Sequence, residues 1–323
     1  MSSASLNEYA CGVIRSMAEG ADSLNVVEIH LPNGATVVDA GVGVTGSLEA
    51  GRLMGEACLA GCGSVDWTEI RFGEDVYPGV RVVVDRPKAG CMASQYAGWA
   101  VSLDDGGDGS PYFGMGSGPA RVLYGSEPIF EHLGYTETSD QAAIILEGST
   151  VPTEAVADKV AKACGVTPEN LCMLIAPTAS LAGSVQISAR VVETGLHKLH
   201  ELGFDLDAVL SGYGTCPVPP VAKSDLRAIG RTNDAVLYGG SVWYAVDCED
   251  EAVERVVEQV PSSSSKDYGT LFYDLFKRYD GDFYKIDPML FSPARVTINN
   301  VRTGRVFTAG RVNGELYMRS CAS

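Results

Sequence analysis

The sequence is poor in basic residues, which excludes one large class of partners. Its 323 residues contain 24 Lys and Arg against 41 Asp and Glu, so the formal net charge at pH 7 is −17. A nucleic-acid-binding surface needs concentrated positive charge to neutralise phosphates, so we expect no nucleic-acid partner. The hydrophobic content of 46% is enough for a core and excludes general disorder.

Long apolar runs are also lacking. No 18 consecutive residues are apolar and free of charge, so we expect no membrane-spanning helix. The polar N-terminal residues show no apolar segment of the kind that marks a secretory signal. We therefore expect a cytoplasmic protein without a membrane partner.

A regular cysteine pattern is missing as well. The nine cysteines are odd in number and irregularly spaced, which favours reduced thiols. Cys58 and Cys62 lie four residues apart on a predicted helix, but no second Cys or His pair has matching spacing. Buried structural thiols are favoured over a metal pair there, and we expect no metal.

The order of elements favours a mixed α/β protein of two domains. A capped helix is predicted over 5–22 and a hairpin over 26–40. Strand, helix and strand signals follow one another between 141 and 176, as in a β-α-β unit. Gly148-Ser149-Thr150 suggests a boundary, which gives domains 1–150 and 151–323, with segments allowed to cross between them.

The second half contains one long predicted helix and two less regular regions. A continuous apolar stripe predicts a helix over 184–202. Three prolines predict that 214–222 is irregular. The last 36 residues, Pro288 to Ser323, carry five arginines against one acid. Turn signals at Thr303-Gly304 and Asn313-Gly314 predict a three-stranded β-meander in this segment.

A glycine-rich segment over 105–118 is the first candidate for a ligand site. Its six glycines would let backbone amides approach an anion. It contains neither a Walker A motif nor the dinucleotide-binding register. A mobile surface loop remains the alternative.

Arg190 and Glu193 are the second candidate, because residues three apart share one face of a helix. They could form a solvated ion pair, which contributes roughly 0.2–0.5 kcal/mol, or a general base held by a cation. His197 and His200 continue the same row and could bind a metal, but no third ligand is evident.

Two further segments could line a pocket. Gly212-Tyr213-Gly214-Thr215 runs into a proline-rich stretch, and Arg231 to Asp234 places one cation beside polar side chains. A structural corner and an Asx turn are the respective alternatives. The basic C-terminal segment could likewise meet an anionic ligand or simply offset its acidic neighbours.

Several stretches, in order along almost the full chain, closely resemble the methenyltetrahydromethanopterin cyclohydrolase family. They are Asn33-Gly-Ala-Thr-Val-Val-Asp39, Gly46-Ser-Leu-Glu-Ala-Gly-Arg52, Gly114-Met-Gly-Ser-Gly-Pro-Ala-Arg121, Ser180-Leu-Ala-Gly-Ser-Val-Gln-Ile-Ser-Ala-Arg-Val-Val-Glu193, Gly212-Tyr-Gly214, Thr232-Asn-Asp-Ala235, Tyr284-Lys-Ile-Asp-Pro-Met-Leu-Phe-Ser-Pro-Ala294 and Arg302-Thr-Gly-Arg-Val306. Several independent motifs in order are more specific than any one of them.

The resemblance implies two α/β domains with a substrate cleft between them, a homotrimer, and no metal or redox cofactor. It implies reversible hydrolysis of 5,10-methenyl-tetrahydromethanopterin to the 5-formyl compound, in the one-carbon metabolism of methanogens, sulfate-reducing archaea and methylotrophic bacteria. The family's catalytic Arg and Glu match Arg190 and Glu193.

For the flat pterin we expect stacking and edge hydrogen bonds. The candidate substrate-binding residues are Gln95, Tyr96, Gly116, Ser117, Gly118, Tyr213, Asn233 and Asp234. The amides of 116–118 could meet the acidic tail of the carrier. A non-catalytic protein that binds the pterin carrier and a cyclohydrolase for the folate analogue remain alternatives.

Overall fold

The computed structural model describes residues 5–107, 109–280 and 285–322. The chain divides into two compact units, which we call unit 1 (Met1–Gly63 and Ala89–Gln186) and unit 2 (Ser64–Lys88 and Ile187–Ser323). The sequence-based boundary at 150 differs from this division. Residues 64–88 belong to unit 2 although they precede residue 150, and residues 151–186 belong to unit 1 although they follow it. Asp108 of the glycine-rich segment and Tyr284 of the quoted motifs lie outside the described residues.

Helices and strands are interspersed along the described residues. In order they are α1 (Leu6–Glu19), α2 (Ala21–Leu24), β1 (Val27–His30), β2 (Thr36–Asp39), α3 (Leu48–Leu59), β3 (Gly63–Phe72), β4 (Asp75–Val84), β5 (Trp99–Leu103), β6 (Tyr112–Ser117), α4 (Ala120–Tyr124), α5 (Ile129–Leu133), β7 (Ala142–Glu147), α6 (Glu154–Cys164), β8 (Leu171–Ala176), α7 (Leu181–Ser188), α8 (Val191–Glu201), β9 (Val209–Pro217), α9 (Asp225–Asp234), β10 (Ser241–Val246), α10 (Asp250–Glu254), α11 (Phe272–Arg278), β11 (Arg295–Asn300), β12 (Val306–Gly310) and α12 (Gly314–Ala322). Two π-helices, Lys88–Gln95 and Ala235–Gly239, interrupt this series.

The unit 1 sheet has the strand order β1-β2-β8-β7-β6-β5. Its three central strands, β2, β8 and β7, are parallel, and the outer pairs are antiparallel. The predicted hairpin over 26–40 and the predicted β-α-β unit are confirmed. The Ser5 cap is confirmed too, since its side chain accepts the Glu8 amide at the start of α1.

Helices cover both faces of this sheet. The alternate residues Ala142, Ile144 and Leu146 of β7 belong to a buried core with α6 on one face. On the other face Cys172 of β8 lies beside Cys11 of α1, which packs on α3. The connection after β7 therefore leads to α6 on one face of the sheet. The connection after β8 leads to α7 on the other face, where α7 contacts Gly51 of α3.

The unit 2 sheet has the order β12-β11-β10-β9-β4-β3. β10 and β11 are parallel, whereas β11–β12, β10–β9 and β4–β9 are antiparallel. Helix α8 packs on one face, and its Val191 and Val192 lie directly over Gly212 and Gly214 of β9.

Four local predictions were wrong. The helix predicted over 184–202 is two helices with a break at 189–190. The sequence pattern did not reveal this break, because the tight turn there leaves the apolar stripe in phase. Residues 214–217 complete β9, since prolines are tolerated at strand ends.

The expected third strand of the C-terminal meander is helix α12. Asn313 accepts the Leu316 amide as a helix cap instead of forming a hairpin turn. The glycine-rich segment is also not wholly a loop, since β6 occupies its second half. None of the helices in the described part of the chain combines the length and hydrophobicity needed to cross a membrane.

Candidate active site

The break between α7 and α8 positions both predicted catalytic residues in unit 2. Arg190 lies in the break and Glu193 in the first turn of α8, and both are buried, with 8% and 5% of their surface exposed. Arg190 Nη1 lies 3.9 Å from Glu193 Oε2, which allows charge attraction but is beyond hydrogen-bond length. The alternative of a solvated surface pair is wrong, because burial leaves little water to screen the charges.

The backbone beneath Glu193 is held by β10. Tyr244 Oη donates to the Val192 carbonyl at 2.7 Å. Gly195 makes room for this hydrogen bond, since a Cβ there would lie 2.3 Å from Tyr244 Oη. Gly212 makes room for the Val192 side chain, since a Cβ there would lie 2.6 Å from Val192 Cγ1. The first turn of α8 is therefore fixed by tight packing on the sheet.

His197 lies one turn beyond Glu193 on α8. Burial lowers the pKa of its imidazole, and Glu201 lies 3.7 Å from its Nε2. Among the described residues no group of three or more His, Cys, Asp and Glu side chains is arranged to hold a metal.

The structure does not bring Tyr213 together with Glu193. Alternation along β9 turns Tyr213 to the face opposite the one where Gly212 and Gly214 meet α8. Its side chain is 40% exposed there, directly opposite Trp243 of β10. Successive side chains of a strand point to opposite faces of the sheet, so Tyr213 and its two neighbouring glycines lie on different faces.

Asn233 and Asp234 take part in local structure at the end of α9. Asn233 Nδ2 donates to the Ile229 carbonyl at 2.8 Å. The fully buried Asp234 carboxylate accepts the Phe272 amide at 2.9 Å and the Ser320 hydroxyl at 2.6 Å. Burial raises the pKa of this carboxyl to about 7, against the two hydrogen bonds that lower it.

In unit 1, Gln95 and Tyr96 lie at the end of the π-helix Lys88–Gln95. Gln95 is fully buried and Tyr96 is half-buried. The guanidinium carbon of Arg121 lies 5.1 Å from the centre of the Tyr96 ring. π-Helices are frequent at functional sites, which makes this segment a reasonable place for ligand contacts.

Arg121 is a residue that sequence reasoning missed, although it ends one of the quoted motifs. It is fully buried, and its Nη1 donates to the carbonyls of Met92, Ala93 and Ser94 at 3.1–3.3 Å. It also forms a bidentate pair with Glu127, at 2.8 and 2.6 Å. Arg121 thereby fixes the end of the π-helix that carries Gln95.

Gly116, Ser117 and Gly118 lie where β6 ends. The first two belong to a strand with β5 and β7 on either side. The Gly118 amide donates to the Ser94 carbonyl at 2.8 Å, and Ser117 Oγ donates to the Ile145 carbonyl at 3.2 Å. An anion could reach the Gly118 amide only if that hydrogen bond broke.

Glu147, at the end of β7, was also missed. Its Oε1 accepts the Thr178 hydroxyl, and its Oε2 accepts Gln186 Nε2 at 3.5 Å. Glu147 ends one apolar run and Thr178 lies two residues beyond another, and both runs become parallel strands. Polar residues at the ends of such runs were the signal that could have revealed them.

Comparisons with known proteins place the chain in a protein family. A family model described as Cyclohydrolase (MCH) matches residues 5–321. Proteins named methenyltetrahydromethanopterin cyclohydrolase are similar over 98% of this chain: 45% identical in Methanothermobacter marburgensis and 42% in Methanosarcina barkeri, each over 98% of the relative. The one from Methylobacillus flagellatus is 42% identical over 98% of this chain and 95% of its own length.

Proposed function

Because the chain belongs to the cyclohydrolase (MCH) family, we propose that it reversibly hydrolyses 5,10-methenyl-tetrahydromethanopterin to 5-formyl-tetrahydromethanopterin. The observation that carries the proposal is the buried Arg190–Glu193 pair on a turn fixed by packing. The reaction uses water as its second reactant and requires no metal or redox cofactor.

The substrate determines what the site must do. Its methenyl carbon lies between N5 and N10 of an amidinium cation and is therefore electrophilic. Water is a weak nucleophile at neutral pH, so a base must remove a proton as the oxygen attacks. A buried carboxylate is suited to this task because it is both basic and attracted to the cationic substrate.

Glu193 is the proposed base. It takes one proton from water as the C–O bond forms, which gives a neutral carbinolamine. Protonated Glu193 then gives this proton to N10 as the C–N10 bond breaks. The carbinol O–H loses its proton as the formyl C=O forms, so one proton is released for each cation hydrolysed.

Arg190 is the proposed positioning cation. Its Nη1 lies 3.9 Å from Glu193 Oε2, which is close enough for the guanidinium charge to orient the carboxylate. Arg190 can also orient the attacking water, since it presents five N–H donors.

We assign the remaining expectations to the same proposal. None of the nine cysteines forms a disulfide among the described residues, which supports a reducing, cytoplasmic location. The enzyme is proposed to act as a homotrimer. Gln95 and Tyr96 are proposed to contact the substrate, which is supported by the hydrogen bonds that hold their segment to Arg121.

The proposal is tested by adding purified protein to methenyl-tetrahydromethanopterin at neutral pH and following the loss of the methenyl absorbance. Methenyl-tetrahydrofolate is run in parallel. Rapid loss with the first carrier alone is the expected result. Loss with the folate alone would keep the chemistry but change the carrier, and the spontaneous rate with both would contradict enzymatic activity.

A further inference from the structure

The parallel strands β7 and β8 of unit 1 end at a point where the chain leaves the sheet in opposite directions. After β7 the chain runs to α6 on one face, and after β8 it runs to α7 on the other. A crevice opens outside the carboxyl ends of two such neighbouring strands, and open α/β sheets bind their ligands there. The mechanism above uses no residue of this edge.

The side chains at this edge converge on one carboxylate. Glu147 is half-buried at the end of β7, while Thr178 and Gln186 are nearly fully buried. Both neighbours donate hydrogen bonds to Glu147, one to each oxygen. A carboxylate offers about four lone-pair positions, so the described hydrogen bonds leave roughly two of them for a ligand.

The same edge is unsuited to an anion. The first loop after β2 has amides at Gly41, Val42 and Gly43, and all three donate to the Asp39 carboxylate at 2.7–2.9 Å. With these amides occupied and two carboxylates present, the edge offers acceptors and negative charge. Its ligand must therefore present hydrogen-bond donors.

We propose that this edge is the subsite for the aminopyrimidinone ring of the pterin, with Glu147 accepting both the 2-amino group and N3–H. Those two parallel donors have the spacing of a guanidinium fork, which carboxylates accept in bidentate fashion. Thr178 and Gln186 hold the carboxylate in position for them. This inference rests on the proposed function and names the specificity-determining residue that the proposed function lacks.

The test compares Glu147→Gln with wild type and with Glu154→Gln, a matched loss of one exposed carboxylate in the same unit. Binding of tetrahydromethanopterin is measured by calorimetry, and KM and kcat are measured with the methenyl compound. Glu147→Gln should weaken binding and raise KM about 10- to 100-fold with kcat within a few-fold of wild type, because the NH₂ that replaces one carboxylate oxygen is a donor and cannot accept the second of two parallel donors. Glu154→Gln should match wild type.

A second measurement keeps the inference testable if Glu147→Gln fails to fold. Wild type should bind 6-methyltetrahydropterin at least tenfold more tightly than the analogue lacking the 2-amino group, whereas a folded Glu147→Gln should not distinguish them. An active wild type with no such preference, or with unchanged KM in the variant, would overturn the subsite alone. A wild type that neither binds nor converts the carrier would overturn the proposed function as well.

Discussion

Glu193 and Asp234 are both buried carboxylates of unit 2, but the groups around them differ. Glu193 has a guanidinium 3.9 Å away, whereas the described partners of Asp234 are one amide and one hydroxyl. Burial without a cation favours the protonated form, which is why the pKa of Asp234 is raised to about 7. Asp234 therefore serves the packing of α11 and α12 on α9 and gives folding a dependence on pH.

Asp234→Asn should remove that dependence. The pKa of Asp234 in the folded protein lies above its unfolded value, so between about pH 4 and pH 7 the folded state binds more protons. The free energy of unfolding of wild type therefore falls as pH rises through this window. Asparagine can keep both hydrogen bonds, so the variant should gain roughly 2–3 kcal/mol relative to wild type between pH 5 and pH 8.

Urea unfolding of both proteins at pH 5 and pH 8 provides the measurement. Asp104→Asn, at an exposed position, is the control and should show the pH dependence of wild type. An equal difference between Asp234→Asn and wild type at the two pH values would mean that Asp234 is ionised throughout.

Residue-level prediction from the sequence succeeded where one side chain and its spacing determine the outcome. The Ser5 cap is of this kind. The role of Arg121 depends on carbonyls at Met92, Ala93 and Ser94, about 30 residues earlier, and no local pattern contains that information.

At the scale of elements, the first turn of α8 is placed by glycines on a neighbouring strand. Gly212 lies beneath Val192, and any side chain there would separate α8 from β9. The Gly-Tyr-Gly motif is therefore a requirement of helix–sheet contact in this structure. The sequence showed the motif, but the helix that it contacts begins about 20 residues earlier.

Gly212→Ala should lower turnover at least tenfold while the protein remains folded, because displacing a catalytic group by about 1 Å can reduce the rate by about 100-fold. The added Cβ would lie 2.6 Å from Val192 Cγ1, so Val192→Ala in the same chain should restore part of the activity. Initial rates with methenyl-tetrahydromethanopterin give the measurement.

Gly12→Ala is the matched control, since no atom lies within 4 Å of its added Cβ. It should leave turnover unchanged. Full activity in Gly212→Ala would show that the position of α8 does not depend on this contact.

The break between α7 and α8 shows a limit of periodicity. The apolar positions from Val185 to Leu199 keep helical spacing throughout, yet the helix ends at Ser188 and restarts at Val191. A pattern of buried positions reports which side faces the core, not whether every backbone hydrogen bond is made. The β-α-β unit was predictable because its strand and helix signals are separated by clear stop residues.

At the scale of the whole molecule, the net charge of −17 opposes association between copies of the chain. The proposed homotrimer must therefore bury enough surface to exceed this repulsion. Salt screens exposed charges over about 10 Å at 0.1 M, so added salt should stabilise the assembly.

Sedimentation equilibrium should give three times the 34.1 kDa of one chain, with tighter association at 0.5 M than at 0.05 M salt. A monomer at both salt concentrations would contradict the proposed assembly. A trimer that dissociates as salt rises would instead indicate attraction between opposite charges at the interface.

The central claim is that Glu193 is the base for attack of water on the methenyl carbon. The most direct measurement is the kcat of Glu193→Gln with methenyl-tetrahydromethanopterin, alongside its affinity for the carrier and its circular dichroism. General-base catalysis contributes about 10²- to 10⁴-fold, so we predict a loss of kcat in that range, with fold and affinity retained. A folded Glu193→Gln that kept more than about a tenth of wild-type kcat would contradict the account. Its loss of kcat would be less than about tenfold, which is smaller than the 10²-fold minimum expected of a general base.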